Sequence, residues 1–261
     1  CAVLGNDRAI LSRYDDSVVR IISAGSAGAA VQVIRRARGF APVPLKLAQT
    51  STNPEVAATP EDAAASEAIG AAVREGSPET AGHKAAVAPV LFAAGSEQKS
   101  TFAFVRGSEA FVSQHVGDLE NAEAFDAWLD AKSRFEKLFE LRATRLACDA
   151  HPEYLASKWA REQARKLDIP LVEVQHHHAH IASVIGENGL SGAVCGIAFD
   201  GTGFGADGSI WGGEVLLANA QAYERFANFA YVPMPGGAAC VKNPLRMAYG
   251  VLWEFDLLEH P

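Results

Sequence analysis

The sequence predicts an α/β fold with a mixed sheet for residues 89–261, because strand-like and helix-like segments alternate along this part of the chain. Short apolar runs bounded by turn-forming residues indicate strands at 89–95, 101–106, 109–114, 145–149, 171–174, 196–200 and 210–217. Apolar residues at helical spacing indicate helices at 121–139, 153–166, 176–185 and 244–258, and Asn121 is expected to cap the first of them. A chain of 261 residues, 49% of them hydrophobic, is long enough for one large domain or two ordinary ones.

The first 88 residues are predicted to contain two different segments. Residues 1–47 are β-rich, with strand-like runs at 17–22 and 31–35 and a turn of small residues at 24–29. Because 47 residues are too few for an independent core, this segment is expected to belong to a larger domain. Residues 48–88 have few large apolar side chains and are predicted to be a flexible linker, with a weak helix at 61–74 as the alternative.

The composition argues against several classes of function. A formal net charge of −8 disfavours non-specific nucleic-acid binding, and no apolar run approaches the ~20 residues that a membrane span needs. No secretory signal opens the chain. The four cysteines are scattered without a CxxC pair, which disfavours a cysteine-based zinc site and favours a reducing, cytoplasmic setting. Cys148 and Cys195 lie in apolar runs and are expected to be buried.

A run of four histidines within five residues predicts a metal site. His176 and His180 are four residues apart on a predicted helix, so both imidazoles lie on one face and can reach one divalent ion. Asp200 is predicted to end a strand before a glycine-rich turn, and its carboxylate would supply a third ligand. This donor set suits Zn²⁺ or Fe²⁺ about equally. His177 and His178 point to other helix faces and are not expected to be ligands; a surface polar cluster is the alternative for the whole run.

Several motifs together resemble HypF, the carbamoyltransferase family that matures [NiFe]-hydrogenases. They are SQHVGDL at 113–119, CDAHPEY at 148–154, VQHHHAHIASV at 174–184, DGTGFG at 200–205, WGGE at 211–214, PGG at 235–237 and KNPLR at 242–246. Segments 15–20 and 35–42 resemble the end of the YrdC-like domain of the same family. The resemblance implies an actin/Hsp70-like (ribonuclease H-like), TsaD-like lobe at 89–261, preceded by a YrdC-like remnant at 1–47 and a linker at 48–88.

The resemblance also implies an activity. HypF-like enzymes use carbamoyl phosphate and ATP to make a carbamoyl-adenylate, and then pass the carbamoyl group to the C-terminal cysteine of a partner, HypE. The group becomes the cyanide ligand of the hydrogenase iron. By resemblance, His176, His180 and Asp200 would be metal ligands that also serve catalysis, and neither nucleic acid nor membrane would be a partner.

Candidates for phosphate or nucleotide binding are glycines and cationic side chains. Glycines let a backbone approach a phosphate closely, and arginines can clamp phosphates bidentately. The candidates are Lys99, Gly201, Gly203, Gly205, Lys242, Arg20, Arg35, Arg36 and Arg38. The alternatives are an ordinary tight turn for the glycines, a solvated surface side chain for Lys99, and a basic edge strand for the arginines.

Three further expectations follow from the resemblance. The family's acylphosphatase-like domain, its zinc fingers and a fourth metal ligand are not in the sequence, so the chain alone is expected to be inactive. The alternative enzyme is a small-molecule O-carbamoyltransferase or a TsaD-like tRNA-modifying enzyme, although the triple histidine and the YrdC-like segment favour HypF over TsaD. A non-catalytic module for metal binding or partner docking is the alternative from another class.

Overall fold

The computed structural model of the chain describes residues 12, 14–23, 29–47 and 88–259. The predicted linker at 48–88, with its alternative weak helix at 61–74, lies outside the described residues except for residue 88. Most of the predicted turn at 24–29 lies outside them as well.

Six strands form a mixed sheet in the order β3-β6-β5-β4-β7-β8. They are β3 Leu45–Lys46, β4 Val90–Ala93, β5 Ala103–Arg106, β6 Glu109–Val112, β7 Arg145–Asp149 and β8 Leu171–Val174. The first four strands in this order pair antiparallel, whereas β4 with β7 and β7 with β8 pair parallel. The predicted α/β fold with a mixed sheet is therefore confirmed.

Two helices, α1 Ala122–Phe139 and α2 Leu155–Leu167, follow β6 and β7 in the chain. The side chain of Asn121 accepts a hydrogen bond from Ala124 N, so the predicted cap of α1 is confirmed. Trp128 and Phe135, almost two turns apart on α1, are buried in the same aromatic core as Phe102, which directly precedes β5. Phe102 meets Trp128 edge-on at 5.8 Å, the arrangement that aromatic quadrupoles prefer.

A second layer joins α3 His176–Asn188 to the antiparallel sheet β11-β10-β9. The strands are β9 Val194–Phe204, β10 Ile210–Ala218 and β11 Tyr223–Asn228. Ile181 and Ile185, one turn apart on α3, pack with Ala198 and Leu216 of the sheet in a small core. The helix ends at Gly189, which has the left-handed conformation that glycine adopts without strain.

Strand β9 is longer than the sequence predicted. Asp200 was expected at a strand end, with the glycines after it in a turn, but β9 continues through Phe204. Gly203 pairs with Trp211 of β10, and a bulge between Trp211 and Gly213 absorbs the irregularity. The extension depends on pairing with β10, because glycine-rich sequence by itself favours a turn.

The prediction that Cys195 is buried was wrong. Cys148 is buried on β7, whereas Cys195 is exposed on β9. Successive side chains of a strand point to opposite faces, and only one face of β9 packs on α3. Cys195 shares the other face with Ile197 and Phe199, which are 59% and 72% exposed.

The N-terminal strands β1 Val18–Ser23 and β2 Ala29–Arg35 form an antiparallel pair, in line with the predicted strand-like runs. The next strand along the chain, β3, belongs to the six-stranded sheet, where it is the edge strand and pairs with β6. At the other end, α4 Ala239–Lys242 is followed by α5 Pro244–Glu254, which is shorter than the predicted helix at 244–258. Among the described helices, none combines the length and apolar character needed to cross a bilayer.

Candidate metal centre

The candidate site lies where two parallel strands end and a helix begins. Strands β7 and β8 are parallel neighbours, with Asp149 opposite Val174 at their carboxyl ends. Helix α3 begins two residues after Val174, at His176. Strand β9 packs against α3 and brings Asp200 to the same place. Carboxyl ends of parallel strands are a frequent location for binding sites in α/β folds.

The structure brings the three predicted ligands together. One donor atom from each of His176, His180 and Asp200 lies within 4.8 Å of the other two. His176 Nε2 lies 3.0 Å from Asp200 Oδ2, and the ring centroids of His176 and His180 are 4.8 Å apart. Two donors at bonding distance from a tetrahedral ion are separated by about 3.3 Å. The first pair already has a suitable spacing, whereas the widest separation, at up to 4.8 Å, is longer than this value.

Two carboxylates flank the His176 ring. Nδ1 lies 2.5 Å from Asp149 Oδ2, on the side of the ring away from Asp200. Hydrogen bonds to Asp149 and then to Asp200 raise the pKa of His176 to about 9, against the opposing effect of burial. The hydrogen bond to His176 lowers the pKa of Asp200. In the absence of a cation, His176 is a protonated bridge between two carboxylates, and a metal at Nε2 would replace that proton.

His180 is the more open of the two imidazoles. His180 as a whole residue is exposed to solvent, but one edge of its ring packs against the ring of His176. Desolvation in this contact, followed by the positive charge of His176, lowers the pKa of His180. The ring is therefore neutral near pH 7 and offers a lone pair. Two imidazoles and one carboxylate, open on one side, fit a catalytic divalent cation such as Zn²⁺ or Fe²⁺.

His177 and His178 turn toward the interior and do not belong to the donor group of the described residues. The side chain of Gln175 is fixed, because its Oε1 accepts from His178 N and its Nε2 donates to Phe204 O. Gln175 Nε2 also lies 3.0 Å from His177 Nδ1. An amide nitrogen can only donate, so Nδ1 accepts this hydrogen bond and the neutral ring carries its proton on Nε2. That N–H is buried without a partner among the described residues, and burial lowers the pKa of His177.

The three predicted phosphate-binding glycines have different surroundings. A Cβ on Gly203 would lie 2.1 Å from His177 Cε1, and one on Gly205 would lie 2.2 Å from Trp211 Nε1. These two glycines therefore make room for aromatic side chains of the chain itself. A Cβ on Gly201 would meet nothing within 4 Å, and Gly201 lines a cavity of about 420 Å³.

The two predicted lysines lie at the surface. Lys99 is exposed in the turn after β4, and its backbone N donates to Asp118 Oδ1 at 2.7 Å. Its φ of 50° shows that this turn holds a left-handed backbone at a residue with a side chain. Lys242 is exposed at the end of α4.

Arg36, one of the four predicted arginines, is held by three backbone carbonyl oxygens. Arg36 donates to the carbonyl oxygens of Val112 and Phe40 at 2.8 Å and also to that of Val43. These three contacts use both Nη atoms of the guanidinium. The guanidinium links the N-terminal segment to β6.

The other three arginines are exposed on or beside the β1–β2 pair. Arg20 donates to the side chain of Gln32. Arg35 and Arg38 make loose ion pairs of 3.7 and 3.6 Å with neighbouring aspartates. Such contacts contribute little and leave these cationic groups accessible.

Sequence reasoning missed two carboxylates whose side chains are largely buried, Asp149 and Glu214. Asp149 was noted as part of a motif, but its contact with His176 became evident only when β7 and β8 proved to be neighbours. Glu214 is 2% exposed and pairs with Arg225 at 2.6 Å, and the Arg225 guanidinium lies 4.1 Å from the centre of the Trp211 ring. Glu214 lines the same cavity as Gly201.

Models of two protein domains match the chain. A HypF Kae1-like domain matches residues 86–187, and the second subdomain of the carbamoyltransferase Kae1-like domain matches residues 196–260. These matches cover both the layer with α1 and α2 and the layer with β9 and β10.

Curated relatives and solved structures agree with these matches. Carbamoyltransferase HypF2 of Cupriavidus necator is 38% identical over 251 residues, covering 96% of this chain and 26% of the relative. Carbamoyltransferase HypF of Rhizobium leguminosarum is 33% identical over 250 residues, covering 96% and 27%. A crystal structure of full-length HypF in a phosphate- and nucleotide-bound form is 36% identical with a TM-score of 0.73, covering 95% of this chain and 32% of that one. The structure of T. kodakarensis HypF is 33% identical with a TM-score of 0.68, covering 93% and 26%. The chain thus spans about a quarter of the length of these curated relatives.

Proposed function

The chain belongs to the HypF carbamoyltransferase family, and on that premise we propose that it carries the metal-dependent transfer centre of such an enzyme. The full-length protein uses carbamoyl phosphate and ATP to form a carbamoyl-adenylate. It then transfers the carbamoyl group to the C-terminal cysteine of a HypE-like partner, for the cyanide ligand of a [NiFe]-hydrogenase. The protein acts in the cytoplasm, where a thiol acceptor stays reduced.

The observation that carries this proposal is the convergence of His176, His180 and Asp200. Their donor atoms approach one another in a chain whose relatives are carbamoyltransferases. The two histidines lie on α3 and the carboxylate on β9, so two separate elements supply the donors. The fixed orientation of His176 between two carboxylates also supports a site built for a cation.

A divalent cation held there would act as a Lewis acid on a carbamoyl or phosphate oxygen. The residues of the chain do the rest. His176 and His180 offer neutral lone pairs once His176 loses its Nε2 proton, and Asp200 adds a negative charge. In the transfer step, the thiol sulfur attacks the carbamoyl carbon, the bond between that carbon and the adenylate oxygen breaks, and the thiol proton leaves to solvent or to a base.

The cavity lined by Gly201 is large enough for a small substrate. Its volume of about 420 Å³ lies in the range of small-molecule sites, and Gly201 leaves backbone open to it. None of the residues that line it is cationic, so a phosphate there would depend on backbone N–H groups. Glu214 and Tyr231 add polar groups to its wall. The relative solved in a phosphate- and nucleotide-bound form supports nucleotide binding in this family.

The test separates transfer from adenylate formation in the full-length parent protein. We expect His180→Ala to abolish carbamoylation of the HypE C-terminal cysteine, measured by mass spectrometry of that peptide. Pyrophosphate release from ATP in the presence of carbamoyl phosphate should continue, because it accompanies adenylate formation, which the YrdC-like domain performs.

A matched control keeps the interpretation specific. Asp126→Asn changes an exposed carboxylate on α1 that lies outside the donor group, and it should leave transfer intact. Loss of both steps in His180→Ala would assign a structural role to the histidine. Full transfer activity in His180→Ala would overturn the proposed centre. Elemental analysis of the purified parent then decides between zinc and iron.

A further inference from the structure

Asp149 lies behind one of the three proposed ligands, His176, and contacts the ring nitrogen that does not face Asp200. It ends β7 and lies opposite Val174 of β8, two residues before His176. Its side chain is 7% exposed, and its Oδ2 lies 2.5 Å from His176 Nδ1. A carboxylate this well buried needs hydrogen-bond partners, because a polar group without them is unfavourable to bury.

The carboxylate of Asp149 is itself held in place by its own loop. Oδ1 accepts from His151 N at 2.8 Å, so one oxygen faces the loop and the other faces the His176 ring. The backbone oxygen of Asp149 accepts from Ser157 Oγ at 2.8 Å, which fixes the end of β7 to the first turn of α2. The orientation of the carboxylate is therefore set before any ligand binds.

The contact decides which nitrogen of His176 meets a metal. Because Asp149 accepts the Nδ1 proton, Nε2 must supply the lone pair when a cation binds, and Nε2 is the nitrogen that faces Asp200. Asp149 is not a ligand in this arrangement. It contacts the ring through Nδ1, whose lone pair direction diverges from that of Nε2.

We propose that Asp149 is a positioning residue that fixes the tautomer and ring orientation of His176 and thereby strengthens cation binding at Nε2. This inference rests on the proposed function and adds to it a residue outside the ligand set. A carboxylate behind a ligating imidazole makes that imidazole more basic and restricts its rotation. Removing such a partner typically weakens metal affinity 10–100-fold.

The test measures metal affinity of the full-length parent directly, with no turnover required. Wild type, Asp149→Ala and the isosteric Asp149→Asn are titrated with Zn²⁺ against a competing chromophoric chelator. We expect a loss of about 10–100-fold for Asp149→Ala and a smaller loss for Asp149→Asn. Asp126→Asn, on an exposed position of α1, should match wild type.

Two spectroscopic measurements separate a positioning role from other roles. Nitrogen NMR of selectively labelled His176 should show protonated Nδ1 in metal-loaded wild type and loss of that preference in Asp149→Ala. The Co²⁺ absorption spectrum should keep the same band positions in wild type and variant, because the ligand set does not change. An altered Co²⁺ coordination number would make Asp149 a ligand and would overturn the inference.

The outcomes also distinguish this inference from the proposed function. If wild type binds Zn²⁺ and Asp149→Ala binds it equally well, the positioning role is refuted while the metal centre stands. If wild type binds neither Zn²⁺, Fe²⁺ nor Co²⁺, the metal centre itself is refuted and the inference falls with it. If Asp149→Ala does not fold, the Asp149→Asn titration decides by the same criterion.

Discussion

The protonated bridge at His176 predicts that the metal-free chain loses stability as the pH rises from neutral. The folded chain holds the His176 proton up to a pKa of about 9, whereas an unfolded histidine releases it near 6.5. Between these values the folded state binds one more proton than the unfolded state. The free energy of unfolding must therefore fall as the pH rises through this window.

The size of the effect follows from the same values. One extra bound proton gives a slope of at most about 1.4 kcal/mol per pH unit, or roughly 2 kcal/mol from pH 7 to 8.5. The His176 side chain is 18% exposed, and solvent screening reduces this to about 1 kcal/mol. With a urea m-value of about 1–3 kcal/mol/M, the unfolding midpoint should fall by roughly 0.3–1 M.

The assay is urea unfolding of the 261-residue chain in EDTA at several pH values from 7 to 8.5. The upper limit avoids a second loss of stability, because burial raises the pKa of the Cys148 thiol to about 11 while unfolded thiols ionise near 9. The pKa values of His177 and His180 are lowered in the folded chain, so below pH 6.5 the unfolded chain binds more protons at these rings. Their contribution therefore lowers stability as the pH falls, outside the window of the assay.

Two comparisons isolate His176 in this assay. His176→Gln should flatten the dependence between pH 7 and 8.5, since glutamine carries no titrating proton. Saturating Zn²⁺ in place of EDTA should also remove the loss, because the cation takes the Nε2 lone pair that the proton held. A midpoint that stays constant or rises with pH in the metal-free wild type would refute the charged bridge. The same slope in His176→Gln would assign the effect to another group.

Two further predictions concern packing, each with a control from the same element. Gly203→Ala should destabilise the chain by about 1–3 kcal/mol, because its Cβ would lie 2.1 Å from the buried ring of His177. The control Gly201→Ala should cost under about 1 kcal/mol, because its Cβ would meet nothing within 4 Å. Equal urea midpoints for the two variants would contradict the contact between Gly203 and His177. Trp128→Ala should lower the free energy of unfolding by about 3–5 kcal/mol in a thermal melt, because this ring is fully buried. The control Leu138→Ala, at a side chain 64% exposed on the same helix, should stay within about 0.5 kcal/mol. A small loss at Trp128 would show that the core is less tightly packed than the structure indicates.

Local signals in the sequence predicted those parts of the fold that depend on near neighbours. Helix α1 could be predicted with its cap, because Asn121 and the apolar spacing act within a few residues. The facing of His176 and His180 could be predicted for the same reason, since it follows from helical geometry alone. The approach of Asp200 was predicted as a hypothesis from the succession of elements and not from geometry.

Features that depend on sheet pairing could not be predicted from local sequence. Strand β9 continues beyond Asp200 because β10 pairs with it across a bulge, and nothing within the DGTGFG run reveals that partner. Cys195 is exposed because α3 covers only the other face of β9. The contact of Asp149 with His176 required the knowledge that β7 and β8 are parallel neighbours.

The close fit of Gly203 against the His177 ring has a consequence for how the centre is assembled. The His177 imidazole occupies the space that a side chain at position 203 would need, so a shift of β9 along α3 would bring a neighbouring side chain of β9 against this ring. Two ligands on the helix and one on the strand are therefore locked in a single relative register. A cation would therefore meet ligands whose backbone positions are already set. Binding would need only side-chain adjustment and loss of the His176 Nε2 proton, and it would not need to bring the strand and the helix together.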